Sequence, residues 1–205
     1  MILGGSRPLV AGYMLVAAAS DEDYRGVDRR PFEPEVIEAE VNLDAKEGAR
    51  NTWELYPPGW RREAYRVYET NLAPGCGERV FLLRSLDSAR HIQRLIAPRL
   101  GPHEVLFCSV WPLDDIPSLP DDTNLSFLGF DAAYVGGDYY SAVRNGLLVH
   151  PHPQLMQQYA HELNKWKLFS VASAMPAYVR RFKDLVPSER DSEFAIYAVS
   201  EPKSQ

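Results

Sequence analysis

Carboxylates are the most concentrated reactive groups in this chain. Asp114, Asp115, Asp121 and Asp122 fall in one short stretch stiffened by Pro112, Pro117 and Pro120, and Asp131 and Asp138 follow. Such a group can stay solvated as an acidic loop, dock a basic protein, or serve as a cation or acid–base site. Pairing the carboxylates for glycoside-type chemistry needs their separation in space, which spacing along the chain does not supply.

His150, His152 and His161 form the one metal-like grouping. A His-x-His pair can put two imidazoles on one metal. Pro151 and Pro153 mark a helix entry here, and a helix would carry His161 roughly 12–14 Å from His152 at its 1.5 Å rise per residue. With no His-Glu-x-x-His, the histidines read as surface or capping residues, and no metal site is expected. Ser141 lies outside any Gly-x-Ser-x-Gly elbow and reads as a small residue permitting close helix packing. Gly136-Gly137-Asp138 precedes a helix but matches neither phosphate-binding glycine motif, so it reads as a turn with Asp138 as N-cap. Cys76 and Cys108 are the two thiols and form no Cys-x-x-Cys. Cys108, in an apolar run, reads as a buried inert thiol, and the usage fits a reducing cytoplasm. No catalytic residue and no cofactor is predicted. Tyr134, Tyr139 and Tyr140 sit beside glycines and suit either an interface or a core edge.

The elements that must position these residues follow from periodicity. Arg7 and the apolar run Pro8 to Ala19 outline a signal peptide, but Gly12 and Tyr13 interrupt the run, which is too short to span a bilayer. It reads as a strand over Leu9–Ala18. Glu35 to Leu43 alternates apolar and polar and reads as a half-buried strand. Glu63 to Leu72, rich in Tyr and Val, reads as another strand, and Arg79 to Arg84 as a short one. A helix capped by Ser85 or Asp87 carries Ala89, Ile92 and Ile96 and should stop at Pro98. Glu104 to Trp111 has the continuous apolar run of a strand buried on both faces. The prolines and aspartates of Pro112 to Asn124 form a loop, and Leu125 to Phe130 a strand. A short helix should run from Tyr139 to Asn145, with Gly146 as its stop. Others should start at Pro153 and near Ala174, and a last strand should cover Glu193 to Val199.

The 205 residues carry 22 basic and 28 acidic side chains, a net charge of −6. An acidic surface repels phosphate backbones, so a nucleic-acid partner is disfavoured. Forty-five per cent apolar content excludes a largely disordered chain. Strands and helices are segregated rather than alternating. That predicts a single α+β domain over residues 1–205, with a mixed or mostly antiparallel sheet and three or four helices concentrated in the C-terminal half.

Phe127-Leu128-Gly129-Phe130-Asp131, with Tyr139, Ser141, Ala142 and Asn145-Gly146-Leu147, resembles a segment of small bacterial proteins akin to immunity partners of polymorphic and contact-dependent toxins. Here Phe130 stands for the usual Tyr, Ala132 for Val and Val143 for Leu. The segment covers a tenth of the chain, is packing-like, and transfers no catalytic residue. It implies fold kinship more than activity; taken with the small acidic chain, its cysteine usage and the lack of a catalytic motif, the expected function is a cytoplasmic, non-enzymatic module that neutralises a toxin by binding it. The expected contact residues are Asp114, Asp115, Asp121, Asp122, Tyr139 and Tyr140, facing a basic protein partner, with no membrane involved. The competing reading is a small enzyme with Asp131, Asp138 or His150 and His152 in its pocket.

Overall fold

The apolar run at the start of the chain alternates between two buried surfaces. It forms β1, Val10–Ala17, in a computed structural model that describes residues 7–17, 24–27, 58–76, 82–115, 117, 119, 122–135 and 140–203. The strand expected at Glu35–Leu43 lies outside the described residues. β2 (His103–Pro112), β3 (Leu125–Tyr134) and β4 (Phe194–Pro202) complete a four-stranded antiparallel sheet in the order β1-β2-β4-β3. The C-terminal strand therefore inserts between β2 and β3. The helices described are α1 (Pro58–Asn71), α2 (Leu86–Leu100), α3 (Ala142–Arg144), α4 (Pro153–Tyr159) and α5 (Met175–Leu185). The fold is α+β.

α1 corrects the strand expected at Glu63–Leu72. Tyr and Val favour strands locally, but Ala64, Val67 and Tyr68 recur at helical spacing and pack together with Ala89, Ile92 and Ile96 of α2. Burial of one stripe outweighs propensity. α2 starts where Ser85 Oγ accepts the Ser88 amide at 3.2 Å. Ser85→Ala is expected to cost about 1 kcal/mol, read as a lower urea midpoint. Pro98 does not end α2 as expected. It sits in the last turn, and the helix runs on to Leu100 before Gly101 takes φ 83°.

The sheet is covered on both faces. Leu15 and Val105 lie under α1 and α2, and Trp111, Phe130, Ala132, Phe194, Ile196 and Ala198 lie under α3 to α5. In α5, Met175, Tyr178, Val179 and Phe182 form a buried i, i+3, i+4, i+7 stripe, each side chain contributing about 1.5–3 kcal/mol. The opposite face carries Met14, Leu106, Cys108, Val110, Tyr197 and Val199. Both sheet edges are met by short pairings, β1 through Tyr13 with Leu83 and β3 through Phe130 with Phe169 and Ala133 with Ser141. Such pairings blunt strand-to-strand association.

β2 and β3 both run antiparallel to β4, so they are parallel to each other. The loop 113–124 must therefore return along the sheet. Pro112 pairs with Ala195, and Leu125 with Pro202, seven positions along β4. That separation is about 23 Å at 3.3 Å per residue.

Candidate functional site

β3 carries its polar residue inward. Asp131 is 0 % exposed, and each of its carboxylate oxygens accepts one hydroxyl and one main-chain amide. Oδ2 takes Tyr24 Oη at 2.5 Å and the Val27 amide at 3.1 Å. Oδ1 takes Ser141 Oγ at 2.6 Å and the Ala132 amide at 2.9 Å. A buried carboxylate is tolerated when its lone pairs are met in this way.

Ser141 is more than a small packing residue. Its Oγ also accepts the Arg144 amide at 3.0 Å, making it the N-cap of α3, and its carbonyl accepts Asn145 Nδ2 at 2.9 Å. Asp131, Ser141 and Asn145 all lie in the segment 127–147 singled out from the sequence, and they form one hydrogen-bonded unit joining β3 to α3. Asp138, the expected cap, lies outside the described residues. Gly146 does not stop the helix. α3 passes directly into a wide turn over Asn145–Val149, closed by the His150 amide on the Asn145 carbonyl at 3.1 Å. Spacing alone did not reveal the Asp131–Ser141 partnership, although one sequence segment held both residues.

The neighbours of this unit are also pinned. Tyr178 Oη donates to the Ala142 carbonyl at 2.7 Å, and Tyr197 Oη to the Tyr134 carbonyl at 2.9 Å. Burial pushes both phenols well above the usual tyrosine range, with the Asp131 charge adding to the shift. Burial does the same to the Cys108 thiol, whose Sγ lies 3.3 Å from Met14 Sδ. Cys76 is half-buried, and burial raises its pKa too. A thiol held protonated is a poor nucleophile.

The acidic stretch does not stay together in space. Asp114 is exposed and Asp115 partly so, beside the end of β2, where the Asp115 amide bonds the Pro112 carbonyl at 3.1 Å. Asp122 is exposed at the opposite end of the sheet. Its Oδ1 accepts the Asn124 amide at 2.8 Å and shapes the turn into β3. It reaches Tyr13 electrostatically: the phenol is raised first by burial, then by the Asp122 charge, against a lowering from Arg90. Asp121 and Tyr139 lie outside the described residues. Tyr140 is half-buried and stacks on Tyr134 with centroids 4.9 Å apart.

Register brings other residues to the Asp114 end. Glu193 precedes β4, its carbonyl accepting the Val135 amide at 3.1 Å; Tyr134, paired with Phe194 of β4, donates its amide to the Tyr140 carbonyl at 3.3 Å. The Tyr134 hydroxyl donates to Glu189, which Ser192 Oγ also meets at 3.2 Å. Asp191 and Glu193 are both exposed. Register thus puts Asp114, Asp115, Asp191, Glu193 and Tyr140 at one end of the sheet, together with the exposed Arg190 and with Lys183, whose Nζ donates to the Ser192 carbonyl at 2.9 Å; the first two and Tyr140 were expected from sequence. Asp191 and Glu193 were missed because they sit nearly 80 residues further along the chain, brought in by the pairing of β4 with β2 and β3.

The histidines are apart. His150 is exposed, His152 occupies the N-cap position of α4, and His161 is exposed beside Glu162 at 3.5 Å. Among the described residues no group of three or more His, Cys, Asp or Glu side chains could hold a metal, and no helix is long and apolar enough to cross a membrane. No protein-family model, no curated protein and no solved structure matches the chain.

Proposed function

We propose that this protein is a non-enzymatic binding module, an immunity protein that neutralises a bacterial toxin in the cytoplasm by direct contact with a basic surface on it. The observation that carries the reading is that exposed or half-exposed Asp114, Asp115, Asp191 and Glu193 share one end of the sheet, the end at which the half-buried Tyr140 stacks on Tyr134. Carboxylates gathered on one rim speed the approach of a basic partner and orient it, and a tyrosine adds apolar area with a polar tip. The reactive-looking residues support the same reading from the other side. Asp131 and Ser141 are each 0 % exposed and bonded into the scaffold, so the resemblance segment builds structure and offers no group to a substrate.

The test starts with a tagged pull-down from native cells. The retained protein should be toxic when expressed alone and harmless when expressed with this chain. Reversing Asp114, Asp115, Asp191 and Glu193 to lysine should then weaken binding by about a hundredfold, measured by titration calorimetry. The native interaction should weaken with added salt. Asp122→Lys, at the far end of the sheet, should leave affinity within about threefold, as expected for a charge beyond screening distance. Unchanged affinity in the fourfold reversal rejects the rim as the docking surface. A retained partner with no toxicity rejects the immunity reading.

A further inference from the structure

Two stretches of the helical layer, residues 149–161 and 168–179, hold no Asp, Glu, Lys or Arg. At the chain's 24 % charged content about six such residues would fall there. Burial explains the inner side, where Leu155, Tyr159, Met175 and Tyr178 pack against the sheet. It does not explain the outer side. Nine residues of the first stretch and four of the second are exposed. They include Val149 at 40 %, Met156 at 37 % and Val171 at 48 %, three of the five large apolar residues exposed among those described. Gln154, Gln157 and Gln158 fill most of the exposed side of α4. The two stretches pack on each other, the Tyr159 ring lying 5.2 Å from Tyr178 and 6.3 Å from Phe169.

We propose that this uncharged outer face of α4 and the start of α5 is where a second copy of the chain docks, in a weak twofold dimer. Each copy carries a net charge of −6, so two copies repel wherever their charged surfaces meet. A twofold contact sets one patch against itself, so a patch of one sign would face its own sign across the axis. This face has no such charge to oppose. Glutamine holds a donor and an acceptor on one side chain, so Gln154, Gln157 and Gln158 can pair with their own symmetry copies, which a lysine or a glutamate cannot do. Depletion of charge, with Met and other apolar groups exposed, is the composition of an interface centre. Glu162, Arg180 and Asp184 border the face with both signs, as the rim of such a centre does. Thirteen exposed residues are about half of what a stable interface uses on each side, so the dimer is reversible, with a dissociation constant on the order of 100 µM. None of Asp114, Asp115, Asp191 and Glu193 belongs to this face, and the inference is independent of the immunity reading.

Sedimentation equilibrium of the full chain is the test. Between about 5 and 500 µM the weight-average mass should climb from 23.2 kDa toward twice that value. Added salt should strengthen the association by screening the net repulsion, the opposite of its effect on a complex with a basic protein. Met156→Lys alters an exposed side chain and sets like charges across the axis. It should weaken self-association about tenfold or more, with the urea midpoint unchanged. Val171→Asp should do the same. Asp114→Lys, outside the face, should leave it within about threefold. A mass that stays at 23.2 kDa throughout overturns the dimer. Association that salt weakens, that survives both face variants, or that Asp114→Lys abolishes also overturns it, because the copies then meet elsewhere. A monomeric chain that loses a captured protein on Met156→Lys would assign the face to that protein and overturn the proposal too.

Discussion

Asp131→Ala is expected to lower the stability of the folded chain by about 4 kcal/mol, seen in urea titration as a lower midpoint at unchanged slope. The carboxylate is fully buried and accepts from Tyr24, Val27, Ala132 and Ser141. Alanine leaves two main-chain amides and two hydroxyls facing an apolar gap, and each unmet buried donor costs about 1–3 kcal/mol, less where a water or a rotated hydroxyl relieves it. Asp131→Asn separates charge from shape. Its amide nitrogen can donate to a rotated hydroxyl, but it must also face either the Val27 or the Ala132 amide. That substitution should cost about 2 kcal/mol. A cost below about 1 kcal/mol for both variants would mean that Asp131 is not the anchor of residues 24–27 and α3.

Gly129→Ala should cost about 3 kcal/mol, or about 9 °C in Tm for a chain of this size. Gly129 sits at a register shift in β3 with φ 152°. A Cβ there would lie 2.6 Å from Leu168 Cβ, 2.8 Å from Asn164 Nδ2 and 3.0 Å from the Phe169 carbonyl oxygen. The last two cannot simply move aside. Asn164 Nδ2 donates to the Leu128 carbonyl at 2.6 Å, while its Oδ1 accepts the Trp166 and Leu168 amides at 2.8 and 3.3 Å. Phe169 is paired with Phe130 on the edge of β3. The methyl group must push the whole 163–169 turn away from the sheet, breaking that pairing. A Tm within about 1 °C of the parent would show that the turn yields freely.

Local pattern was enough wherever one face of an element is buried along its length. The strand at Val10–Ala17, the apolar run of β2, the Ser85 cap of α2 and the stripe of α5 were legible in this way. Pattern misled where two local preferences disagree. In α1 the Tyr and Val residues favour a strand, whereas the stripe of Ala64, Val67 and Tyr68 suits a helix once α2 is there to receive it. Gly146 shows the same limit. A glycine after a short helix is the usual stop, but here the chain widens into a further turn, and Gly146 is there because Tyr178, Phe182 and Leu155 leave no room for a Cβ.

By itself, then, the sequence determined the α+β class, most element types, the acidic balance and the segment that holds Asp131, Ser141 and Asn145. Those properties depend on side-chain identity and short-range period, which neighbours in the chain carry with them. Tertiary structure alone decided that the Asp114 and Asp122 carboxylates part to opposite ends of the sheet, that Asp191 and Glu193 join the first, and that Asp131 closes on Tyr24. The reason is the strand order. With β4 inserted between two parallel strands, one loop must run the length of the sheet, and residues far apart in sequence become neighbours through register, which local pattern does not encode.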